Sequence, residues 1–245
     1  MTSKKIPRLV NAPHVFCPGC GHGIVNRLIA EVIEELGYDR KTILTLGVGC
    51  SWNMTRYWGG DFLQAAHGRG AACATGVKVA RPDLLSIAYQ GDGDAYVIGL
   101  SETLNAAYRN TPISVFVINN NNFAMTGGQM SWTTMPGQIT ATSPAGRDVA
   151  KTGFPIRVPE IIADFENIAY VARGSVHSVK EIRRLRGYVK NAVEAQLSGE
   201  GYSLVEILAP CPTNWGMDIE ASINWMEKTV LPYYKLGELK NRREK

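Results

Sequence analysis

Two groups of residues in this 245-residue chain combine types and spacings that could do chemistry. The first lies in GDGDAYVIGLSETLNAAYRNTPISVFVINNNN, residues 91–122, where a glycine-flanked acidic turn at Asp92 is followed 28 residues on by Asn120 within an asparagine block. Each polar end follows an apolar, β-branched run, Leu84–Tyr89 and Ile113–Ile118. Such runs are expected to be buried parallel strands, which puts both ends at the carboxyl edge of neighbouring strands, where open α/β sheets bind ligands. One carboxylate with carboxamide or carbonyl oxygens from a converging loop suits a hard divalent ion. Mg²⁺ takes oxygen ligands at ~2.0–2.1 Å and commonly completes its shell with a ligand phosphate, so the expected job of this unit is to hold a diphosphate. The plainer alternative is a strand–helix–strand crossover whose turns are merely rich in Gly, Asp and Asn; the TGGQ at residues 126–129, just past the asparagines, weighs against it.

The second group is sulfur. Of five cysteines, Cys17 and Cys20 form a Cys-Pro-Gly-Cys pair before the first expected helix, Cys50 follows the first expected strand and Cys211 follows the last. Their loops can converge. Thiolates select zinc or iron–sulfur clusters, and four satisfy either a tetrahedral zinc or a [4Fe–4S] cubane. Spacing alone leaves both open, although one CxxC with two isolated cysteines is less regular than the paired knuckles of zinc ribbons. Cys73, within an Ala-rich stretch, is expected to be a small buried apolar residue instead.

The elements that must position these groups alternate along the chain. Gly23–Leu36 puts Val25, Leu28, Ile29, Val32, Ile33 and Leu36 on one helical face, with Gly37 where a C-cap belongs. Thr42–Leu46 is a buried strand ending in Gly47-Val48-Gly49-Cys50, and Gly70–Ala80 a small-residue helix able to approach a sheet closely, stopped by Pro82. Beyond the 84–122 unit, Ser131–Pro159 holds four prolines among Gly, Ser and Thr; so long a loop is uncommon unless functional, so it is expected to cover a cofactor or contact a partner. A second α/β section follows, with Ala169–Ala172 a strand, Val179–Gln196 an amphipathic helix and Ser203–Leu208 a last strand. The pattern predicts a doubly wound, mostly parallel sheet flanked by helices, as a single domain over 1–245.

Composition narrows the function. A net charge of +4 spread over both signs does not suggest nucleic acid, and the basic runs Arg183–Arg186 and Lys240–Lys245 are expected to be a solvated helix face and a fraying end. MTSKKIPRLVNAP lacks the apolar core of a signal peptide and no apolar run approaches ~20 residues, so a cytoplasmic protein without membrane contact is expected. No GxGxxG occurs: GVGCSW, GRGAAC and GDGDAY each miss the third glycine, leaving a nicotinamide- or flavin-binding scaffold without a motif.

FCPGCGHG, GVGCSW, HGRGAACATGVKVARPDL, GDGDAYVIG, NNNN with FAMTGGQ, and APCPTNW together resemble the β subunit of a 2-oxoacid:ferredoxin oxidoreductase, across residues 14 to about 216. The resemblance implies the diphosphate-binding domain of a thiamine diphosphate enzyme. It implies Cys17, Cys20, Cys50 and Cys211 as ligands of one [4Fe–4S] cluster, Asp92 and Asn120 as side-chain ligands of Mg²⁺, and Asn122 as its backbone ligand. Ser51, Trp52, His67, Gly68, Gly91, Gly93, Asp94, Ala95, Ala124, Met125 and Thr126 match stretches lining the cofactor, although a lone His beside glycines, such as His67, also serves as a loop hydrogen-bonder.

The activity implied is oxidative decarboxylation of a 2-oxoacid to its acyl-CoA, with coenzyme A as cosubstrate and electrons leaving through the cluster to ferredoxin. The carboxylate that activates thiamine diphosphate generally sits on another domain, so the resemblance implies a partner α subunit carrying it, and the short carboxyl end suits separate small γ and ferredoxin-like δ subunits. Where some relatives carry lysine in a TKGQ-like turn, this chain has Gly127, and where some carry a lysine three residues past the third cluster cysteine it has Asn53. Fewer cations weaken the case for a second substrate carboxylate, leaving 2-oxoglutarate and branched-chain 2-oxoacids both open. The alternative reading is a non-oxidative thiamine diphosphate decarboxylase or synthase subunit with a structural zinc site.

Overall fold

The computed structural model describes residues 6–242, so the first five residues and the last three of the basic tail lie outside the description. In chain order the elements are α1 (His22–Glu35), β1 (Thr42–Leu46), β2 (Asp61–Gln64), α2 (Gly70–Ala80), β3 (Leu85–Gly91), α3 (Leu100–Tyr108), β4 (Ser114–Asn119), the two-residue strands β5 (Asn122–Phe123) and β6 (Gln129–Met130), α4 (Val149–Thr152), α5 (Val158–Ala163), β7 (Tyr170–Ser175), α6 (Val179–Leu197), β8 (Ser203–Leu208), α7 (Pro212–Trp215), α8 (Ile219–Trp225), α9 (Leu231–Tyr233) and β9 (Gly237–Asn241). Seven strands form one sheet in the order β2-β1-β3-β4-β8-β7-β9, parallel except for β9. β4, β7 and β8 are buried at every residue, as continuous apolar strands must be when helices cover both sheet faces.

On one face, α1 and α6 bury Val25, Ile29, Val32 and Ile33 with Leu185 and Val189. On the other, the small side chains of α2 and α3, Ala71, Ala74, Ala106 and Ala107, pack with Ile162 of α5. The expected doubly wound sheet is therefore present. Gly37 closes α1 at φ +75°, the left-handed value a C-cap glycine supplies. The chain runs outward from β1 to β2, then crosses back past β1 to β3, so the loops after β1 and β3 border the crevice where strand order reverses.

Several expectations need correction. Strands β2 and β9 are absent from the sequence reading: DFLQ is exposed at all four residues and GELKN is mostly half-buried, so neither carries the apolar signal of an interior strand. Because β9 pairs with β7, Lys240 is not part of a fraying end; its Nζ donates to the Ala163 and Phe165 carbonyls. Arg186 is no solvated charge either, since it pairs with Glu35 and ties α6 to α1. Cys73 is half-buried, not buried.

The long loop after β6 is packed on its own chain. Met135 is buried with Leu208, Met226, Val230 and Tyr234. Arg147, itself buried, donates to the carbonyls of Trp132, Thr134 and Gly153, satisfying backbone oxygens that no helix or strand serves. Trp132 and Phe154 stay exposed.

Candidate active site

β3 and β4 pair side by side, with Gly91 opposite Ile118, so Asp92 and the asparagine block emerge next to each other at the carboxyl edge. Beyond Asp92 the backbone widens into a π-helical turn over Gly93–Ile98, a form that recurs at functional sites. Asn121 adopts φ +60°, which asparagine tolerates better than most residues. Asn119 Oδ1 accepts from the Asn121 backbone N at 3.2 Å and from Asn121 Nδ2 at 3.1 Å, and Thr134 Oγ1 donates to the Asn121 carbonyl at 2.6 Å. This left-handed step between Asn120 and Asn122 turns both toward Asp92.

The result is a knot of oxygens. The Asn120 amide end stands 3.0 Å from the Asn122 carbonyl oxygen and 3.2 Å from Asp92 Oδ1. Turned over, the amide would donate to both. Asp92 is buried, and burial pushes its carboxyl up to about 6 despite the hydrogen bond donated by Thr133 Oγ1. A cation in contact would reverse that logic. Thr133 belongs to the long loop, whose role here is to brace Asp92 from behind.

A cleft of about 90 Å³ opens at these oxygens, walled by His22, Val48, Gly49, Cys50, Ser51, His67, Gly91, Asp92, Gly93, Asp94, Asn120, Asn122, Phe123, Ala124, Met125 and Thr126. Twelve of these were expected from the sequence, eleven as cofactor contacts and Cys50 as a cluster ligand. Trp52, Gly68 and Ala95, also expected there, lie off its walls: Trp52 faces solvent and Ala95 is buried in the core beneath α2 and α3. Gly68 instead donates its N–H to Asp94 Oδ1 at 2.8 Å.

Asp94 organises this end of the cleft. Its Oδ1 also meets His67 Nδ1, and its Oδ2 accepts from Gln90 Nε2, so the buried carboxylate fixes the orientation of a half-exposed imidazole. The packing leaves no room at Gly47, where a Cβ would strike Asp94 Oδ2, or at Gly93, where it would strike the Phe123 ring. Those clashes explain why glycine stands after β1 at 47 and after Asp92 at 93. His22 and Phe123 were missed by sequence reasoning. His22 is stacked on Phe16 and bonded through Nδ1 to the Tyr89 hydroxyl at 2.6 Å, and burial pushes its imidazole down to about 3.

Beside the cleft, and sharing Cys50, Asn120, Ala124 and Met125 with it, lies a second cavity of about 300 Å³. Cys17, Cys20, Cys50 and Cys211 all line it, together with Phe16, Asn53 and Asn214. All are free thiols. Burial pushes Cys20 up to about 12 and Cys50 up to about 11, and raises Cys211, with neighbouring sulfurs adding to each rise. Among the described residues no three His, Cys, Asp or Glu side chains close on a single point as one metal ion requires. The four sulfurs stand around a space instead.

Residues 47–207 match the thiamine pyrophosphate enzyme C-terminal TPP binding domain. The chain is 39% identical, over 93% of its length and 48% of the relative's, to ketoisovalerate oxidoreductase subunit VorA of Methanothermobacter thermautotrophicus. It is 34% identical, over 82% of its length and 71% of the relative's, to 2-oxoglutarate synthase subunit KorB of Archaeoglobus fulgidus. The chain belongs to the thiamine diphosphate-binding β-subunit family of 2-oxoacid:ferredoxin oxidoreductases. A solved member of this family, 2-oxoglutarate:ferredoxin oxidoreductase from Magnetococcus marinus with 2-oxoglutarate, coenzyme A and succinyl-CoA bound, superposes at a TM-score of 0.73 with 26% identity, covering 97% of this chain and 85% of that one. Against the VorA proteins the chain spans about half the relative's length.

Proposed function

We propose that this chain is the β subunit of an enzyme that oxidatively decarboxylates a 2-oxoacid to its acyl-CoA, passing electrons through a [4Fe–4S] cluster to ferredoxin. The observation that carries the reading is the convergence of Asp92, Asn120 and Asn122 at the carboxyl edge of β3 and β4, with the Asn120 amide end 3.0 Å from the Asn122 carbonyl oxygen and 3.2 Å from Asp92 Oδ1. Adjacent ligands of an octahedral ion at ~2.0–2.1 Å stand about 3 Å apart, so the Asp92 carboxylate, the Asn120 amide oxygen and the Asn122 carbonyl would suit neighbouring positions of a Mg²⁺ shell. A bound diphosphate would supply further oxygens.

Thiamine diphosphate, when bound, supplies a nucleophilic thiazolium carbon and an electron sink. This chain's residues hold and orient it. Asp92, Asn120 and Asn122 take the cation. His67, fixed through Nδ1 by Asp94, keeps Nε2 free to meet a diphosphate oxygen. Cys17, Cys20, Cys50 and Cys211 line one cavity of about 300 Å³, and four thiolates there would hold a cubane. The cavity adjoins the cleft, as electron transfer between the two groups requires.

The cleft, about 90 Å³, is small beside ligand sites that commonly enclose ~300 Å³ or more, in keeping with a chain that takes the diphosphate end of the cofactor. The remainder, with the activating carboxylate and much of the substrate and coenzyme A pocket, is assigned to an α subunit, with γ and ferredoxin-like δ subunits as further partners. The substrate is 2-oxoglutarate or a branched-chain 2-oxoacid; relatives named for each bear on this choice. No described helix is long and apolar enough to cross a membrane, in keeping with a cytoplasmic site of action.

The test is anaerobic purification with and without the partner chain, assay of iron, sulfide and thiamine diphosphate, and dye reduction with coenzyme A and a panel of 2-oxoacids. The complex is expected to turn over and the isolated chain is not. Equal turnover by the isolated chain refutes the shared site; zinc in place of iron refutes the redox reading.

A further inference from the structure

The turn after β8 joins the thiol cavity to the cofactor loop through two side chains that no part of the proposed chemistry uses. Asn214 Nδ2 lies 2.9 Å from the Ala124 carbonyl and 3.5 Å from Cys211 Sγ, so one amide group bridges the cleft wall and a thiol. The next residue does the same on the metal side: Trp215 Nε1 donates to the Asn120 carbonyl at 3.0 Å. Asn122 Nδ2 donates to that same carbonyl at 2.9 Å. Cys211 is thus a buried sulfur facing the Asn214 amide. Room for Asn214 depends on Gly128, where a Cβ would come within 3.0 Å of the Asn214 Cβ.

We propose that Asn214 is a positioning and tuning residue for the electron acceptor. Its amide stabilises negative charge on the Cys211 sulfur and fixes that sulfur against the cofactor loop at Ala124. Reduction adds one electron to a cluster, and part of that charge resides on the ligand sulfurs. An N–H donor there, in a low-dielectric cavity, favours the reduced form and raises the potential. The inference rests on the reading of Cys211 as a [4Fe–4S] ligand.

The experiment compares the purified complex with its Asn214→Leu and Asn214→Ala variants, using iron and sulfide assay followed by an anaerobic reductive titration read from cluster absorbance and from the paramagnetic reduced cluster. Leu keeps the volume and deletes the donor; Ala deletes the donor without adding a branch. Loss of one hydrogen bond to a charged sulfur is expected to lower the reduction constant about tenfold, ~59 mV for a one-electron couple, with iron content and thiamine diphosphate occupancy retained. Wild-type potential in either variant that keeps its iron overturns the inference, and so does loss of iron from both, because a tuning donor is not required for assembly. Wild-type complex without iron overturns the cluster reading itself, which the iron assay reports before any titration begins.

Discussion

Replacing Glu206 with leucine should destabilise the protein far more than altering any surface ion pair. Glu206 lies on β8 with a fully buried side chain, paired with the Nε of an equally buried Arg173 on β7. Arg173 spends its other two nitrogens on Glu160, at 2.8 and 2.7 Å, a carboxylate that is 38% exposed. Glu206 Oε1 also accepts from Asn119 Nδ2 at 3.0 Å, and Asn119 is the residue that holds Asn121 in its left-handed turn. Removing one partner of a buried ion pair costs ~3–5 kcal/mol; the surviving Glu160 pair puts this case near ~3. The stranded Asn119 amide adds about 1 kcal/mol. A total near 4 kcal/mol corresponds to a fall in Tm of ~8–16 °C for a chain of this size. Glu160→Gln, which weakens the solvent-screened end, should cost no more than about 1 kcal/mol. Thermal unfolding of both variants beside wild type decides the matter, and the double variant Arg173→Met/Glu206→Leu should recover part of the loss, since an apolar pair leaves no charge unpaired. If Glu206→Leu is no worse than Glu160→Gln, the buried network is not holding this region together.

Asp92→Ala should abolish Mg²⁺-dependent retention of thiamine diphosphate while leaving iron content intact; normal occupancy on equilibrium dialysis would remove Asp92 from the metal site. Cys50→Ser or Cys211→Ser should strip or degrade the cluster by iron assay, because oxygen replaces thiolate poorly on iron, whereas Cys73→Ser should not. Gly47→Ala drives a methyl into Asp94 and should lower cofactor affinity through a displaced His67; titration of thiamine diphosphate binding at fixed Mg²⁺ gives the change, and wild-type affinity would argue that Asp94 moves freely. Trp132 and Phe154, which remain exposed on the isolated chain, should be protected from labelling on association with the α subunit; Met135, already buried, should not change.

The parts of the fold and site that were legible from sequence are those where one local pattern suffices. Most interior strands contain an apolar, β-branched run, and α1 repeats its apolar face at helical spacing, so both could be read without tertiary knowledge. Asp92 and Asn120 were legible because each sits at the end of such a strand, and parallel pairing of the two strands is enough to bring them together. What escaped depends on contacts between segments distant in sequence. β2 and β9 gain strand geometry from the neighbours they pair with, not from their own residues. Thr133 braces Asp92 from 41 residues away, and Arg147 holds its loop by donating to carbonyls, a function that any long donor could serve and no spacing announces. Asp94 is the instructive case. In sequence it stands beside Asp92 as a second acidic residue of one motif, apparently with the same work to do. In the fold the π-helical turn that follows Asp92 carries it to the floor of the cleft, where its oxygens are taken by His67, Gly68 and Gln90. Of the two carboxylates, one faces Asn120 and Asn122, where the proposed cation would sit, and the other is consumed in orienting a histidine, and backbone geometry, not residue type, decides which.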